Sequence, residues 1–522
     1  MDDKNGCMGL GIETYIEHPP FLQESEQKKQ DEKPIRNPWH SRPIDVHRWS
    51  DHPEVVGVVE TIWQANFDDL DAKGRSGPKP KLSFRHQLRI LVLDLYVAWR
   101  EDPELSIGVS MSENSWETWS RYNALGISKN LIRLINGLES KGLIDLAKGS
   151  YGGPYAPSNR ITRIRAAEPM RELFRIAKFT RDDVIQGPKQ ECIILKAGEG
   201  DAAKQIEYED TAATKRMRDE LKAYNQVLAD HFIDIPSLDR PWVERDDGKG
   251  GTTKSYIDHH HQFTRRIFSR GNWGCNGRFY GPWWQQIGKT LRNQIFINDT
   301  PTVEVDYKGL HVSILSAQKG VRIEGDPYAL PAGLVSGAPP DLQRELVKKL
   351  VLTALNAKSK KAAFASFRDG FVTGHMGKGL ANKELEALLV AFTDRHPHLA
   401  DCVCTDQGIL LMNIDSRITA VVHRFFTSKG IPVLSVHDSF IIDYTHVRLL
   451  KRMMRWAAQK VVGTELAADA SGLGFDELDG DLDVQLDFEA WRETARGEGY
   501  LGRIRRWEER KGKKIIPYKR SN

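Results

Sequence analysis

Two aspartates that follow apolar segments are the residues of this sequence best placed to bind metal ions. Asp306 stands near the end of an alternating apolar segment, TPTVEVDY, and Asp438 lies within IPVLSVHDSFIID, which predicts a hairpin with this aspartate at its tip. Two carboxylates at the ends of strands in one sheet can hold two Mg²⁺ ions about 4 Å apart, with Mn²⁺ as an alternative. Such ions activate a hydroxyl group and neutralise the charge of a leaving pyrophosphate. Unrelated surface or capping roles for the two aspartates are the alternative.

A positively charged helix is predicted between the two aspartates. The segment QRELVKKLVLTALNA has helical periodicity, and it carries Arg344 and Lys348 one turn apart on one face. Two cations in this arrangement can bind a triphosphate from the side opposite to the metal ions. The same spacing is common on ordinary surface helices, so the functional interpretation depends on the position of this helix between the two aspartate strands.

The stretch from about 263 to 443 resembles the polymerase core of the family that contains bacterial DNA polymerase I (family A) and the single-subunit phage RNA polymerases. The matching segments occur in the family's order, and they cover less than half of the chain. They are Asn276-Gly277-Arg278-Phe279 with Gln285-Gln286-Ile287 and Arg292, Asp306-Tyr307 with Leu310, Asp326-Pro327-Tyr328, the pair Arg344 and Lys348, and Val436-His437-Asp438. The resemblance implies an α+β right-hand polymerase, in which a palm with an antiparallel sheet carries helical fingers and a helical thumb.

The resemblance also implies a role for each matching residue. Asp306 and Asp438 would bind two Mg²⁺ ions, and His437 would support the end of the primer. The residues expected to take part in catalysis are Asp306, Asp438, Lys348, Arg344 and His437. Those expected around the nucleotide are Arg344, Lys348, His311, Leu352, Asn356 and Tyr307, and those expected on template and primer are Arg278, Arg292 and Gln286.

Because the sequence departs from the family pattern, the resemblance does not predict whether the nucleotide carries ribose or deoxyribose. The DNA polymerases carry a Glu that excludes ribose where this chain has His311, and aromatic residues where it has Leu352 and Asn356. After the second aspartate this chain has Ser439, as the RNA polymerases do, whereas the DNA polymerases have Glu. The metal-binding prediction survives these departures, and the choice between dNTP and NTP does not follow from the resemblance.

An upstream segment predicts a winged-helix domain. A helix over 85–99 is followed by a turn at Gly126, a second helix that begins near Ser128, and two alternating strands near 143–146 and 160–165. The second helix of such a domain can enter a major groove. The residues expected to contact DNA are Lys129, Asn130 and Arg133 on the helix and Arg160 and Arg163 on the wing. A winged helix that makes only protein contacts is the alternative.

Five segments follow from these assignments and from composition. They are an irregular N-terminal arm (1–80), the winged-helix domain (81–166), a helical, thumb-like connector (167–254), the palm and fingers (255–495) and a basic tail (496–522). Within the tail, 503–520 hold nine Lys or Arg and two Glu, with Trp507 and Tyr518 interleaved. This tail is either a nucleic-acid-binding segment with stacking faces or a solvated terminus.

The composition excludes a membrane-spanning or secreted protein. No apolar run approaches the roughly 20 residues that span a bilayer, and the N-terminus lacks a signal-peptide pattern. Five scattered cysteines favour a reducing compartment, so a cytoplasmic protein is expected. Neither Cys402 with Cys404 nor the run His259–His261 has the spacing of a zinc site.

Together these features predict template-directed nucleotidyl transfer, with a DNA template, a primer and nucleoside triphosphates as partners. The first interpretation is a DNA polymerase of a mobile element, plasmid or phage, without proofreading because no exonuclease-like set of carboxylates is evident. An RNA polymerase or primase is the second interpretation, favoured by Ser439 and His311. The third is a DNA-binding initiator or regulator with an inactive polymerase-like core.

Overall fold

The computed structural model describes residues 40–67, 82–153, 159–187, 189–246, 252–471 and 482–517. Contacts within the chain divide it into two compact units. The N-terminal unit contains the described residues of Gly9–Glu191 and Glu244–Tyr256, and the C-terminal unit contains those of Cys192–Val243 and Ile257–Asn522. Each unit has its own hydrophobic core.

The N-terminal unit combines helices with a small mixed sheet. Its helices in the described residues are α1 (Pro53–Asn66), α2 (Phe84–Glu101), α3 (Asn130–Ser140) and α4 (Glu168–Ile176). The sheet has the order β1 (Ser41–Pro43), β3 (Ser106–Val109), β5 (Thr162–Ala166), β4 (Ile144–Ala147). A second pair joins β2 (Arg48–Trp49) to β6 (Ile185–Gln186), and β10 (Trp242–Asp246) forms a hairpin with β11 (Thr252–Tyr256).

The predicted helices and wing strands are present in this unit, and its assignment as a winged helix stays a prediction. Ser83 caps α2 by accepting a hydrogen bond from the amide of His86, and α3 buries an apolar stripe that includes Leu131 and Ile135. The described part of the N-terminal arm predicted for 1–80 contains two short strands and the helix α1. There α1 packs Ile62 and Trp63 into the core, because its apolar residues recur at helical spacing.

Two sheets form the framework of the C-terminal unit. The larger is antiparallel, with the order β16 (Leu434–Val436), β17 (Ser439–Asp443), β15 (Thr300–Tyr307), β14 (Phe296–Ile297), β9 (Ile233–Asp234), and β18 (Ala468–Ser471) also pairs with β15. The smaller has the order β13 (Asn272–Tyr280), β12 (Arg265–Ser269), β7 (Ile193–Ala197), β8 (Lys204–Gln205).

Helices surround these sheets. Those described are α5 (Ala212–Ala229), α6 (Lys289–Arg292), α7 (Leu310–Gln318), α8 (Pro340–Asn356), α9 (Lys360–Asp369), α10 (Met376–Gly379), α11 (Asn382–Arg395), α12 (Gly408–Ser428), α13 (Val447–Val462), α14 (Leu482–Ala495) and α15 (Glu498–Lys511). The predicted α+β class is confirmed, whereas the right-hand division into palm, fingers and thumb stays a prediction. None of the helices described is long and apolar enough to cross a membrane.

Strand β15 is covered on both faces except at Asp306, which is exposed. Because successive side chains of a strand point to opposite faces, Asp306 and Tyr307 lie on different sides of the sheet. The hydroxyl of Tyr307 donates to the carbonyl of Met454 in α13 at 2.6 Å, and Tyr307 is 3% exposed. The helix α13 therefore covers the face opposite to Asp306.

Two further expectations differ from the structure. The segment 167–254 contains strands β6 to β10 beside α4 and α5, so it is not a mainly helical connector; the apolar β-branched residues of β7 pair with β12 instead. In the basic tail, Trp507 is 7% exposed and offers no stacking face, and Arg503 is buried against Asp234. Tyr518 lies outside the described residues.

Candidate active site

Asp306 and Asp438 meet because β15 runs beside a hairpin. His437 and Asp438 form the two-residue turn between β16 and β17, and Asp306 pairs in register with Ser439. His437 has a left-handed backbone conformation, with φ of 57°, which His adopts more readily than β-branched residues do. The turn therefore places Asp438 next to Asp306, as a two-carboxylate metal site requires.

The two carboxyl groups interact unfavourably with each other. Loss of surrounding water and the charges of Asp438 and Glu304 raise the pKa of Asp306 to about 8, and Lys348 and Lys289 act in the opposite direction. By surface area Asp306 is exposed, so its position supports the neighbouring carboxylates as the main cause rather than burial. A divalent cation between the carboxylates would remove this repulsion.

The donor set fits Mg²⁺ better than a metal that needs a closed cage. In the part of the chain that the structure describes, no group of three or more His, Cys, Asp or Glu side chains could hold a metal ion. Mg²⁺ commonly binds through one or two carboxylates and takes its other ligands from water and substrate phosphates. Asp306 and Asp438 are the residues that would hold it.

Glu304 is a site residue that the sequence analysis did not single out. Its carboxylate accepts from Arg292 Nε at 3.1 Å and a second guanidinium nitrogen at 3.2 Å, and from the Ser439 hydroxyl at 2.5 Å. Glu304 is 5% exposed. Arg292, expected on nucleic acid, thus holds a buried carboxylate beside Asp306, and Ser439 ties that carboxylate to the hairpin.

A bulge in β13 directs Arg278 toward the site. Ile267 pairs with Arg278 and the next residue, Phe268, pairs with Asn276, so Gly277 is an extra residue in the strand. Gly277 has φ of 91°, and a Cβ atom there would lie 2.7 Å from the Phe268 ring. Bulges of this kind re-aim a side chain next to many active sites.

Arg278 connects Asp415 with His311. Its Nε donates to Asp415 Oδ2 at 2.5 Å, and a terminal nitrogen lies 3.2 Å from His311 Nε2. Burial and the charge of Asp438 raise the pKa of Asp415 to about 7, against the opposing effect of Arg278. Asp415 is not among the predicted site residues, because it lies among mixed polar and apolar residues of α12 and no local pattern marks it.

Three buried ring or carboxyl atoms of this cluster have no hydrogen-bond partner among the described residues. They are Asp415 Oδ1, His311 Nδ1 and His437 Nδ1. Burial and the charge of Arg278 lower the pKa of His311 and of His437 to about 4, so both imidazoles are neutral near pH 7. Because buried polar atoms are nearly always bonded, their concentration here indicates positions for water or substrate groups.

The predicted cationic helix is α8, and the residues expected around the nucleotide recur on it every four positions. Arg344 and Lys348 are exposed, Leu352 is half-buried and Asn356 is exposed. Arg344 forms an ion pair with Asp326, and Lys348 is close enough to Asp306 to act on its pKa. Cations and carboxylates therefore lie near one another, as binding of a metal–triphosphate complex requires.

The end of α8 is joined to the start of α12. The amides of Cys404 and Asp406 donate to the carbonyls of Ala354 and Ala357 at 2.9 and 3.1 Å. Gly408 begins α12, and a Cβ atom there would lie 1.7 Å from Asn356 Oδ1. A larger residue at 408 would displace the Asn356 side chain, so the end of α8 and the start of α12 are in direct contact.

Of two residues expected near nucleotide or nucleic acid, one is buried and the other is exposed. Tyr307 was expected near the nucleotide, and this is wrong because its side chain is buried against α13 on the other face of the sheet. Gln286 is exposed just before α6, so its expected contact with template or primer stays a prediction.

In the N-terminal unit, the residues expected on DNA divide by exposure. Lys129 and Arg133 are exposed and Asn130 is half-exposed on α3, although Lys129 also pairs with Glu113 at 2.7 Å. Arg160 is half-exposed, whereas Arg163 is 5% exposed. The expectation that Arg163 lines an accessible wing is wrong, because its side chain is buried.

Comparisons with known proteins give little support beyond the geometry. No protein-family model matches the chain, and no curated protein matches it. Among solved structures, it is similar to the POL domain of Pol1 from M. smegmatis in complex with DNA primer-template and dNTP, at 12% identity and a TM-score of 0.28. The match covers 50% of this chain and 51% of that one, so this chain spans about half the length of its neighbour. A likeness this low carries no argument about fold or activity.

Proposed function

We propose that this protein is a template-directed nucleotidyltransferase that uses two divalent metal ions, and that it synthesises DNA. The observation that carries the proposal is the adjacency of Asp306 and Asp438 across β15 and the β16–β17 turn, within electrostatic reach of Lys348 on α8. The ordered resemblance of the surrounding segments to family A polymerases supports the same activity. A replication enzyme of a mobile element, plasmid or phage, without proofreading, fits this activity.

Different residues of the site position the metal ions, the triphosphate and the primer end. Mg²⁺ held by Asp306 and Asp438 supplies activation of the attacking hydroxyl and neutralisation of phosphate charge. Lys348 and Arg344 bind the triphosphate, and Leu352 and Asn356 continue the same helical face toward base and template. Arg278, oriented by Asp415, binds the primer strand near its end, and neutral His437 packs beside that end. Glu304, Arg292 and Ser439 keep the strand and the hairpin in register.

RNA synthesis is a second candidate, favoured by a specific observation at the hairpin. Ser439 follows Asp438, and its hydroxyl donates to Glu304 instead of presenting a further carboxylate. His311 stands where the DNA polymerases exclude ribose, and its Nε2 is held by Arg278. With His311 in place of the Glu that excludes ribose, we expect this position not to discriminate against NTPs.

Primer extension distinguishes the candidates. The protein is incubated with a primed DNA template, Mg²⁺ and either dNTPs or NTPs, beside Asp438→Asn and a control, Asp401→Asn, at an exposed carboxylate paired with Lys319. Loss of a metal ligand should lower the rate by roughly a thousandfold or more, because several kcal/mol of charge stabilisation are removed. Asp401→Asn should extend primers at the wild-type rate.

Each other outcome has a defined meaning. Extension with NTPs alone would replace DNA synthesis with RNA synthesis. Absence of extension with either set, in a protein that still binds DNA, would favour a DNA-binding initiator or regulator. Activity that survives EDTA would contradict the two-metal mechanism.

We further propose that the N-terminal unit recruits the enzyme to duplex DNA through α3. Lys129→Ala with Arg133→Ala should weaken duplex binding and flatten its salt dependence, because each lost phosphate contact lowers the slope by about one. Unchanged duplex binding would favour a winged helix that contacts proteins.

A further inference from the structure

The helix α13 has an unusual distribution of charge. Its 16 residues, VRLLKRMMRWAAQKVV, include five Lys or Arg and no Asp or Glu. Arg448, Arg452 and Arg455 recur at positions i, i+4 and i+7, so they form one stripe along the helix. Lys451 and Lys460 flank the stripe. At 1.5 Å per residue, the cations extend over about 18 Å.

The apolar side of α13 is buried in the protein core. Leu450, Met454, Ala457 and Ala458 are buried, and the backbone of the helix accepts the Tyr307 hydrogen bond from the sheet. A basic amphipathic helix can bind a membrane by inserting its apolar side. That side is not available here, so the cationic face can act only through its charges and its exposed aromatic ring.

Three of the cations are available for a partner. Arg452, Arg455 and Lys460 are exposed, and no ion pair joins them to a carboxylate within the described ranges. Trp456 is 47% exposed next to this stripe, and Lys460 Nζ lies 4.8 Å from the centre of its ring. An exposed tryptophan next to these cations provides a stacking face beside phosphate-binding charges.

The position of α13 separates this face from the candidate active site. Because α13 covers the side of the sheet opposite to Asp306, a polymer bound on α13 is not the strand end that reaches Asp306 and Asp438. The two surfaces can therefore hold different nucleic-acid segments at the same time.

We propose that the outer face of α13 is a second nucleic-acid site, which binds single-stranded DNA or RNA by its phosphates and by stacking of an unpaired base on Trp456. The available cations from Arg452 to Lys460 extend over about 12 Å, which matches about three to four phosphates at the roughly 3.4 Å spacing along one strand. Charge complementarity favours a polyanion, and the exposed indole favours a strand with unpaired bases over a duplex. The site is distinct from the proposed catalytic function and does not require it.

A binding experiment without nucleotides tests the proposal. A fluorescein-labelled 20-mer of dT, or the matching oligomer of U, is titrated with full-length protein in excess unlabelled blunt-ended duplex DNA, which occupies duplex-binding surfaces and offers no unpaired bases. Arg452→Ala, Arg455→Ala and Lys460→Ala are combined, and the control combines Lys361→Ala, Lys383→Ala and Lys429→Ala, which removes the same charge from other exposed positions. Thermal unfolding of each variant verifies that it folds.

The expected effects are large and specific. Loss of three phosphate contacts at 0.1 M salt should weaken binding about 100-fold and lower the salt slope by about 2, since each contact on a single strand contributes about 0.7. Trp456→Ala should weaken it about tenfold, and Trp456→Phe should restore most of that loss because stacking is retained. Comparable affinities for dT and U oligomers are expected, because phosphates and stacking do not read the sugar.

Two results would overturn this proposal. One is equal binding by the α13 variant and the control variant. The other is a lower unfolding temperature with unchanged affinity, which would assign the cations to an acidic segment of this chain, such as Asp476–Asp481. Failure of the proposed catalysis would look different, because primer extension would be absent while the binding difference remained.

Discussion

Two buried Arg–Asp pairs of the C-terminal unit differ in how completely their polar atoms are bonded. Arg503 of α15 donates to both carboxylate oxygens of Asp234, at 2.6 and 3.0 Å, and also to the carbonyl of Leu238 at 2.9 Å. Arg278 donates to one oxygen of Asp415, and the second oxygen has no hydrogen-bond partner among the described residues. Both carboxylate oxygens of Asp234 are hydrogen-bonded, and we call this a closed pair. The pair of Arg278 and Asp415 is an open pair, because one carboxylate oxygen of Asp415 has no partner among the described residues.

This difference distinguishes a buried ion pair that stabilises the fold from one that a ligand or a reacting group can use. A closed pair satisfies its own atoms and fastens α15 to the sheet, so its removal affects stability alone. An incompletely bonded pair costs stability, and such groups persist mainly where a ligand or a reacting group uses them. This difference supports the proposal that Asp415 and Arg278 take part in the reaction, whereas Asp234 and Arg503 stabilise the fold.

The largest effect on stability is expected from Arg503→Ala. It leaves Asp234 buried without its cation, and breaking a buried pair in this way costs about 3–5 kcal/mol of unfolding free energy. Urea unfolding measures the loss, and Arg505→Ala at the exposed side of the same helix should change it by less than about 0.5 kcal/mol. A similarly small change for Arg503→Ala would remove the distinction between the pairs.

The open pair should make stability depend on pH. Burial and the charge of Asp438 raise the pKa of Asp415 to about 7, so between about pH 4 and 7 the unfolded chain releases a proton that the folded chain retains. Unfolding free energy therefore falls as pH rises through this window, by on the order of 1.4 kcal/mol for each unit of pKa difference.

The comparison of wild type with Asp415→Asn isolates this effect. Asp306 also has a raised pKa, and its contribution has the same sign in both proteins. In metal-free buffer the wild type should lose more stability between pH 4.5 and 7.5 than the variant does. Parallel curves would show that Asp415 ionises normally.

At pH 8, Asp415→Asn itself should have a moderate effect on stability and a larger one on activity. The amide removes an incompletely bonded buried anion, so the loss of unfolding free energy should stay below about 2 kcal/mol. Primer extension should slow at least tenfold because Arg278 is no longer oriented, chiefly through kcat. A loss of stability equal to that of Arg503→Ala, with normal extension, would place Asp415 among the structural pairs.

The smallest effect is expected at an exposed Arg–Asp pair, Arg344 with Asp326. Their side chains are 45% and 30% exposed, and pairs of this kind contribute about 0–1 kcal/mol. Asp326→Asn should leave unfolding free energy almost unchanged and lower KM for the nucleotide, because Arg344 becomes free to bind phosphate. An increase in KM would mean that Asp326 helps to bind the nucleotide instead.

Local periodicity made much of the proposed site predictable from sequence. The two-residue alternation around Asp306 and the apolar arms of the hairpin are short-range signals, and the structure contains both elements. The same alternation places Tyr307 opposite to Asp306, so its assignment to the nucleotide was avoidable. Asp415 was not predictable, because its role arises from packing of α12 against the distant β13 bulge.

The basic helices α13 and α15 show that composition does not predict which side chains of a helix are exposed. The interleaved cations and aromatic residues around α15 predict a nucleic-acid-binding segment, yet Trp507 and Arg503 of this helix are buried. In α13 the apolar positions take up the inner side, and Trp456 with its cations is left outside. Which side of a helix is buried depends on tertiary contacts, and residue counts do not contain that information.

The contact between α8 and α12 has a mechanical consequence. Asn356 sits against Gly408, and backbone hydrogen bonds join the intervening loop to the end of α8. If α8 rotates toward a bound triphosphate, the first turn of α12 should move with it. Asp415 lies two turns further along α12, so its hydrogen bond with Arg278 should change as well. Spin labels on the two helices should keep a constant separation when nucleotide is added, and a changed separation would disprove the coupling. Binding of the nucleotide at α8 would then be coupled, through α12, to the orientation of Arg278 at the primer end.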